Sequence, residues 1–185
     1  MSKFKNKYRI ESARLKGWDY STPGSYFVTS VTYKRGNLFG KIENNEMILN
    51  DAGKIVSQCW INIPKHFSHV KLDEFVIMPN HVHGIIFITH GNLNIPVETQ
   101  NFASLRLQNK NSSGNKFGPQ LKNLGSIVRG FKIGVTKWYR EQGITDAIWQ
   151  SRFHDHIIRN ETELQNIRRY IINNPLNWNK DDYNK

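Results

Sequence analysis

Two histidines separated by one residue, His81 and His83, stand within the run Met78-Pro79-Asn80-His81-Val82-His83-Gly84-Ile85-Ile86-Phe87-Ile88. The apolar, β-branched and aromatic character of Ile85 to Ile88, following a turn-like Pro79-Asn80, predicts a buried strand. Strand side chains alternate faces, so both imidazoles point the same way and can grip one divalent ion. A metal on a central strand suggests phosphate chemistry, provided a nucleophile is found elsewhere.

Tyr170 offers that nucleophile. In the last helical segment Leu164, Ile167 and Ile171 form an apolar stripe, and Tyr170 and Asn174 stand one turn apart beside it. A phenol oxygen attacking a DNA phosphorus would form a covalent phosphotyrosine and release a sugar hydroxyl, conserving the bond energy for later rejoining. The metal would offset the charge that develops. Asn174 is placed to complete coordination through its side-chain oxygen. Oxygen beside two imidazoles suits Mg²⁺ or Mn²⁺, with Zn²⁺ still open. Each residue alone has a plainer reading: an isolated His-X-His is more often structural, and a lone tyrosine more often half-buried core.

Composition favours a nucleic-acid partner. With 26 Lys and Arg against 15 Asp and Glu, the formal net charge is +11, as expected of a chain that neutralises backbone phosphates. At 185 residues and 38% hydrophobic content, one core and one domain are the default. A single cysteine, Cys59, excludes an intrachain disulfide framework and a Cys-rich zinc site; it reads as a small buried hydrophobe on a helix. No apolar run reaches the roughly 18 residues of a membrane span, and the lysine-rich start lacks the apolar core of a signal peptide. A cytoplasmic protein without a membrane partner is expected.

These residues need a scaffold. Residues 1–24, with Lys3, Lys5, Lys7, Arg9, Arg14 and Lys16, read as a basic arm ending at the turn signal Pro23-Gly24. Ser25 to Tyr33 reads as a strand, followed by a small hairpin through Leu38-Phe39-Gly40 and Met47-Ile48-Leu49. Asn50 caps a helix to about Ile63, on which Ile55, Val56, Cys59 and Trp60 recur at helical spacing. Val70 to Met78 and His81 to Thr89 form a hairpin around Pro79-Asn80. Residues 91–120, rich in Asn, Ser, Gly, Gln and Lys, read as a long flexible insertion.

From Leu121 the period is helical again, with Leu124, Ile127, Val128, Phe131, Val135 and Trp138 on one face and Lys122, Arg129, Lys132 and Arg140 opposite. Ala147 to Ile158 reads as a strand. The last helix starts at Asn160, with Glu163 in the capping-box position, and Pro175 ends it. Residues 25–178 thus make one α+β domain with a ferredoxin-like antiparallel sheet, and 179–185 a polar tail.

Other polar residues are less decided. His154 and His156 form a second His-X-His, readable as support for the site or as ordinary strand residues. His66, His69 and His90 read as surface. Arg14, Lys122, Arg129, Lys132, Lys137 and Arg152 are candidate DNA contacts, although a charged helix face is usually just solvated. Trp149 and Phe153 could stack on bases, although such aromatics are more often core.

The His81-Val82-His83 strand, Ile127-Val128-Arg129-Gly130-Phe131-Lys132, Trp149-Gln150-Ser151-Arg152-Phe153-His154-Asp155-His156-Ile157-Ile158-Arg159 and Arg169-Tyr170-Ile171-Ile172-Asn173-Asn174-Pro175 together resemble the HUH single-tyrosine transposases. Arg14-Leu15-Lys16-Gly17-Trp18-Asp19-Tyr20 and Tyr26-Phe27-Val28-Thr29 extend the likeness, which is to the IS200-like superfamily and its REP-associated branch, over about residues 9 to 178. The resemblance implies a metal on His81, His83 and Asn174 and a nucleophile at Tyr170. It also implies cleavage of single-stranded DNA, recognition of hairpins near the cut, and a 5′-phosphotyrosine intermediate. Asn174 replaces the glutamine common in the insertion-sequence enzymes, as in the REP-associated branch. The family contains both monomers and homodimers that exchange the tyrosine helix, so both states stay open.

Two other classes fit part of the pattern. A non-catalytic nucleic-acid-binding module with a ferredoxin-like sheet would explain charge and aromatics but not the histidine, tyrosine and asparagine set. A metal-dependent phosphodiesterase using water would explain the metal site and leave Tyr170 a bystander.

Overall fold

The computed structural model describes residues 18–89 and 123–184. Arg14, Lys122, His90, most of the N-terminal arm and the 91–120 insertion lie outside the described residues. Ten elements follow in chain order: β1 (Gly24–Val31), β2 (Gly40–Glu43), β3 (Glu46–Leu49), α1 (Asp51–Ile61), α2 (Ile63–His66), β4 (Val70–Ile77), β5 (His81–Ile88), α3 (Leu124–Glu141), β6 (His154–Ile158) and α4 (Glu161–Ile172). A 3₁₀ segment, Pro175–Lys180, follows α4. Four strands form an antiparallel sheet in the order β4-β5-β1-β6, and β2 and β3 form a separate hairpin. The sheet order and the helix in each of the two crossovers, α1 and α3, make this the ferredoxin-like α+β fold.

Local sequence explains the helix starts. The side-chain oxygens of Asn50, Asn123 and Asn160 accept the amides of Gly53, Ser126 and Glu163, satisfying donors that a first helical turn leaves open. Glu163 returns the favour one residue early, accepting the Arg159 amide at 2.7 Å. Pro64 forces the chain to restart after Ile61, so the single helix expected to Ile63 is divided into α1 and α2.

Alternation along β5 sorts the molecule into two faces. Val82, Ile86 and Ile88 belong to a large core with Val56 and Trp60 of α1 and Leu124, Ile127, Phe131 and Val135 of α3. Ile85 and Phe87 belong to a smaller core with Leu164 and Ile171 of α4. His81 and His83 share parity with Ile85 and Phe87, so they lie on the α4 side of the sheet. Gly84 keeps the opposite face close-packed: a Cβ there would come within 2.2 Å of the Trp60 ring. A one-residue bulge in β4 between Leu72 and Phe75 returns Phe75 to the large core and leaves Asp73 facing α4.

The packing adds detail that the sequence pattern lacked. Tyr139, not Trp138, is the buried end of the α3 stripe; Trp138 is partly exposed and packs edge-on to Tyr139. The strand expected from Ala147 begins only at His154, because residues 147–153 cross the sheet edge with a single bridge between Thr32 and Trp149. Within residues 18–24, Tyr20 is 6% exposed in the large core, and Trp18 Nε1 donates to Tyr26 Oη at 3.2 Å. Residues 181–183 pack over the histidine face, where Asp181 has a side chain only 5% exposed. Among the described residues no helix is long and apolar enough to cross a membrane.

Candidate metal and tyrosine site

His81 and His83 are fully buried, and their rings meet edge to face at 4.4 Å between centroids. Hydrogen bonds fix the tautomer of His81. Asn80 uses its amide nitrogen on the carbonyls of Arg35 and Tyr183, at 3.2 and 2.7 Å, so its Oδ1, 2.8 Å from His81 Nδ1, must accept. The His81 proton therefore sits on Nδ1, and Nε2, which has no hydrogen-bond partner, turns a lone pair into the site. His83 Nδ1 lies 2.8 Å from Thr29 Oγ1 on the neighbouring strand β1, where the pairing sets Thr29 opposite His83. His83 Nε2 faces the Tyr170 hydroxyl at 3.1 Å.

The environment keeps both rings neutral. Burial lowers the pKa of His81 to about 3, partly opposed by Asn174. Burial, and then the neighbouring His81, hold His83 well below the ordinary range. Neutral imidazoles are the form that binds metal. Tyr170 is pushed up to about 12 by burial and by Asp181, with Asn174 acting in the opposite direction.

Tyr170 arrives on α4, which docks through Leu164 and Ile171 and through Arg168, whose guanidinium pairs with both carboxylate oxygens of Asp73 on the β4 bulge. Asn174 follows one turn later and is 2% exposed, with its Oδ1 buried and without a hydrogen bond. Tyr170, His83 and Asn174 line a cleft of about 540 Å³ together with Phe27, Thr29, His154, His156 and Asp181. Phe27 stacks on His83 at 5.2 Å and meets the Tyr170 ring edge-on at 6.0 Å.

Buried lone pairs on His81 Nε2 and Asn174 Oδ1, each without a donor, fit a divalent cation better than any neutral packing. Ligand atoms of His81, His83 and Asp181 lie within 4.8 Å of one another, so this His-His-Asp group could hold a metal. The structure thus brings His81, His83, Tyr170 and Asn174 together, with His154 and His156 on the rim. His156 Nε2 is 2.6 Å from Glu163 Oε1.

The candidate DNA contacts are not gathered at the cleft. Arg129, Lys132 and Lys137 belong to α3, whose apolar face packs on the other side of the sheet. The Lys132 ammonium donates to the carbonyls of Gln150 and Arg152, at 3.0 and 2.8 Å, and burial lowers its pKa to about 8. Trp149 and Phe153 pack against the large core, and Arg152 is exposed beside them. Sequence reasoning missed Thr29, Asn80, Asp181 and Tyr183. Only Asn80 carried a local signal, adjacent to His81, and it was absorbed into the turn reading.

The sheet order, the histidine pair on an inner strand and the tyrosine helix across its face make up a fold shared with a solved tyrosine transposase. A REP-associated tyrosine transposase solved bound to a REP hairpin superposes with a TM-score of 0.55 at 18% identity, covering 96% of this chain and 74% of that one. No family model matches. An uncharacterized protein of Haemophilus influenzae is 43% identical over 173 residues, spanning 92% of this chain and 90% of its own length. The chain belongs to one family with that protein.

Proposed function

We propose that the protein is a metal-dependent, cytoplasmic single-strand DNA endonuclease and strand transferase that uses Tyr170 covalently, as in DNA transposition. One observation carries this reading: the Tyr170 hydroxyl lies 3.1 Å from His83 Nε2, beside two buried, partnerless lone pairs on His81 and Asn174. His81, His83 and Asn174 would hold Mg²⁺ or Mn²⁺. Such an ion, when bound, supplies positive charge next to the phosphate and the phenol.

The chain's own residues do the rest. Tyr170 Oη forms a bond to phosphorus, the P–O3′ bond breaks, the phenol gives up its proton, and the 3′ oxygen leaves as a hydroxyl. The 5′ end stays on the enzyme as a phosphotyrosine, and a later attack by a 3′ hydroxyl reverses the step. Phe27 and the Thr29 hydroxyl orient the His83 ring, and α4 delivers the tyrosine from the same chain as the histidines. The substrate is single-stranded DNA with hairpins, and either a monomer or a homodimer accommodates this arrangement.

The test is covalent trapping. Wild type and Tyr170→Phe are incubated with labelled single-stranded hairpin DNA and Mg²⁺ or Mn²⁺, then run on denaturing gels. A protein–DNA adduct from the wild type alone, abolished by a chelator, is expected. Cleavage without an adduct would replace this reading with a water-using phosphodiesterase, and metal-independent binding without cleavage with a binding module.

A further inference from the structure

We propose, resting on the metal-dependent reading above, that Asp181 is a further metal ligand, so that a bound divalent ion is held in part by the segment after Trp178. The tautomer of His81 makes the case. With its proton on Nδ1, His81 presents a bare lone pair at Nε2, and Asp181 Oδ2 stands 3.8 Å from it. Two electron-pair donors facing each other with side chains 0% and 5% exposed repel unless a cation lies between them. The separation is too long for a hydrogen bond, and it can be bridged by an ion with bonds of roughly 2.0–2.2 Å to each atom.

The carboxylate is held for this task. Its Oδ1 accepts the Tyr183 amide at 2.7 Å, which leaves Oδ2 turned toward His81. The segment is fastened on both sides of the site: Arg35 Nη1 donates to the Asp182 carbonyl at 2.9 Å, and Asn80 Nδ2 donates to the Tyr183 carbonyl at 2.7 Å. Asn80 therefore positions His81 with one end of its amide and the Asp181 segment with the other. The Tyr183 ring covers His81 at 4.7 Å, excluding water that would otherwise screen the pair. Two imidazole nitrogens, an amide oxygen and a carboxylate oxygen make a harder donor set than the imidazoles and amide alone.

The full chain, freed of metal with a chelator, is titrated with Mn²⁺ while free ion is followed by electron paramagnetic resonance. Asp181→Asn is expected to weaken Mn²⁺ binding at least about tenfold, and Asp182→Asn, which removes the same charge from the adjacent residue, less than about threefold. Hydrogen exchange across residues 175–184 should slow on adding Mn²⁺ in the wild type and not in Asp181→Asn. Wild-type affinity in Asp181→Asn, or equal weakening in Asp182→Asn, would overturn the assignment of Asp181 while leaving the histidine site intact. Absence of Mn²⁺ binding by the wild type, matched by His81→Ala, would overturn both that site and the role of Asp181.

Discussion

The Tyr170 hydroxyl and His83 Nε2 meet at 3.1 Å across 87 residues of sequence, and that one nitrogen is what both the phenol and a metal would use. Burial, and then Asp181, push the phenol up to about 12. A cation on His83 would free the phenol and favour its ionised form. Adding Mn²⁺ should therefore lower the Tyr170 ionisation by about one unit or more, read as the difference in 295 nm absorbance titrations between wild type and Tyr170→Phe. An unchanged difference curve would mean that Tyr170 does not sense the ion.

Thr29 Oγ1 and His83 Nδ1 are hydrogen-bonded at 2.8 Å within the buried strand pair. Thr29→Val should leave that buried ring nitrogen unpaired, costing about 1–3 kcal/mol in thermal or urea unfolding. Metal affinity should fall by about 10–100-fold as the ring loses its fixed orientation. Equal Mn²⁺ affinity in the variant would show that packing against Phe27 suffices.

Arg168 and Asp73 tie the tyrosine helix to β4, with side chains 25% and 10% exposed. Removing the cation leaves a mostly buried carboxylate unpaired, so Arg168→Met should cost about 2–4 kcal/mol. Hydrogen exchange over residues 161–172 should speed up more than over β5. The double variant Asp73→Leu with Arg168→Met should recover part of the loss, because no buried charge then remains.

Acid should destabilise the metal-free protein in a defined window. The unfolded chain protonates its histidines near pH 6.5, whereas folded His81 resists to about 3 and His83 is also held low. Below pH 6.5 the unfolded state thus binds more protons, and stability falls with decreasing pH by up to about 1.4 kcal/mol per unit for each histidine. Above pH 6.5 the two groups contribute no slope. Urea midpoints of chelated protein between pH 7 and 5 test this, and a His81→Gln variant should show a shallower fall.

Much of the fold was legible because its causes are local. Asparagines before apolar-periodic runs marked two of the long helices, at Asn50 and Asn160, since an Asx side chain satisfies amides only a few residues away; the Asn123 cap of the third came only from the structure. Errors came where distant packing overrode a local pattern. Trp138 and Tyr139 are adjacent on the same helix, and only the bulk of the partner elements decided which ring was buried. Residues 147–153 have strand-like composition, yet the sheet offers them no edge beyond one bridge.

By itself the sequence determined that His81 and His83 share a face, because strand alternation admits no other arrangement, and that Tyr170 and Asn174 sit one helical turn apart. The charge and the cysteine count it fixed without any folding at all. Which face of the sheet α4 would cover, and hence whether the tyrosine would meet the histidines, was decided by tertiary structure: Ile85 and Phe87 on that face, and Asp73 beside them pairing with Arg168, give α4 its place. The approach of Asp181 to His81 was likewise beyond the sequence, since no periodicity or motif links residues 100 apart. Such contacts depend on how the chain closes in three dimensions, and only the packed structure supplies the burial that turns two neutral imidazoles, an amide and a carboxylate into one site.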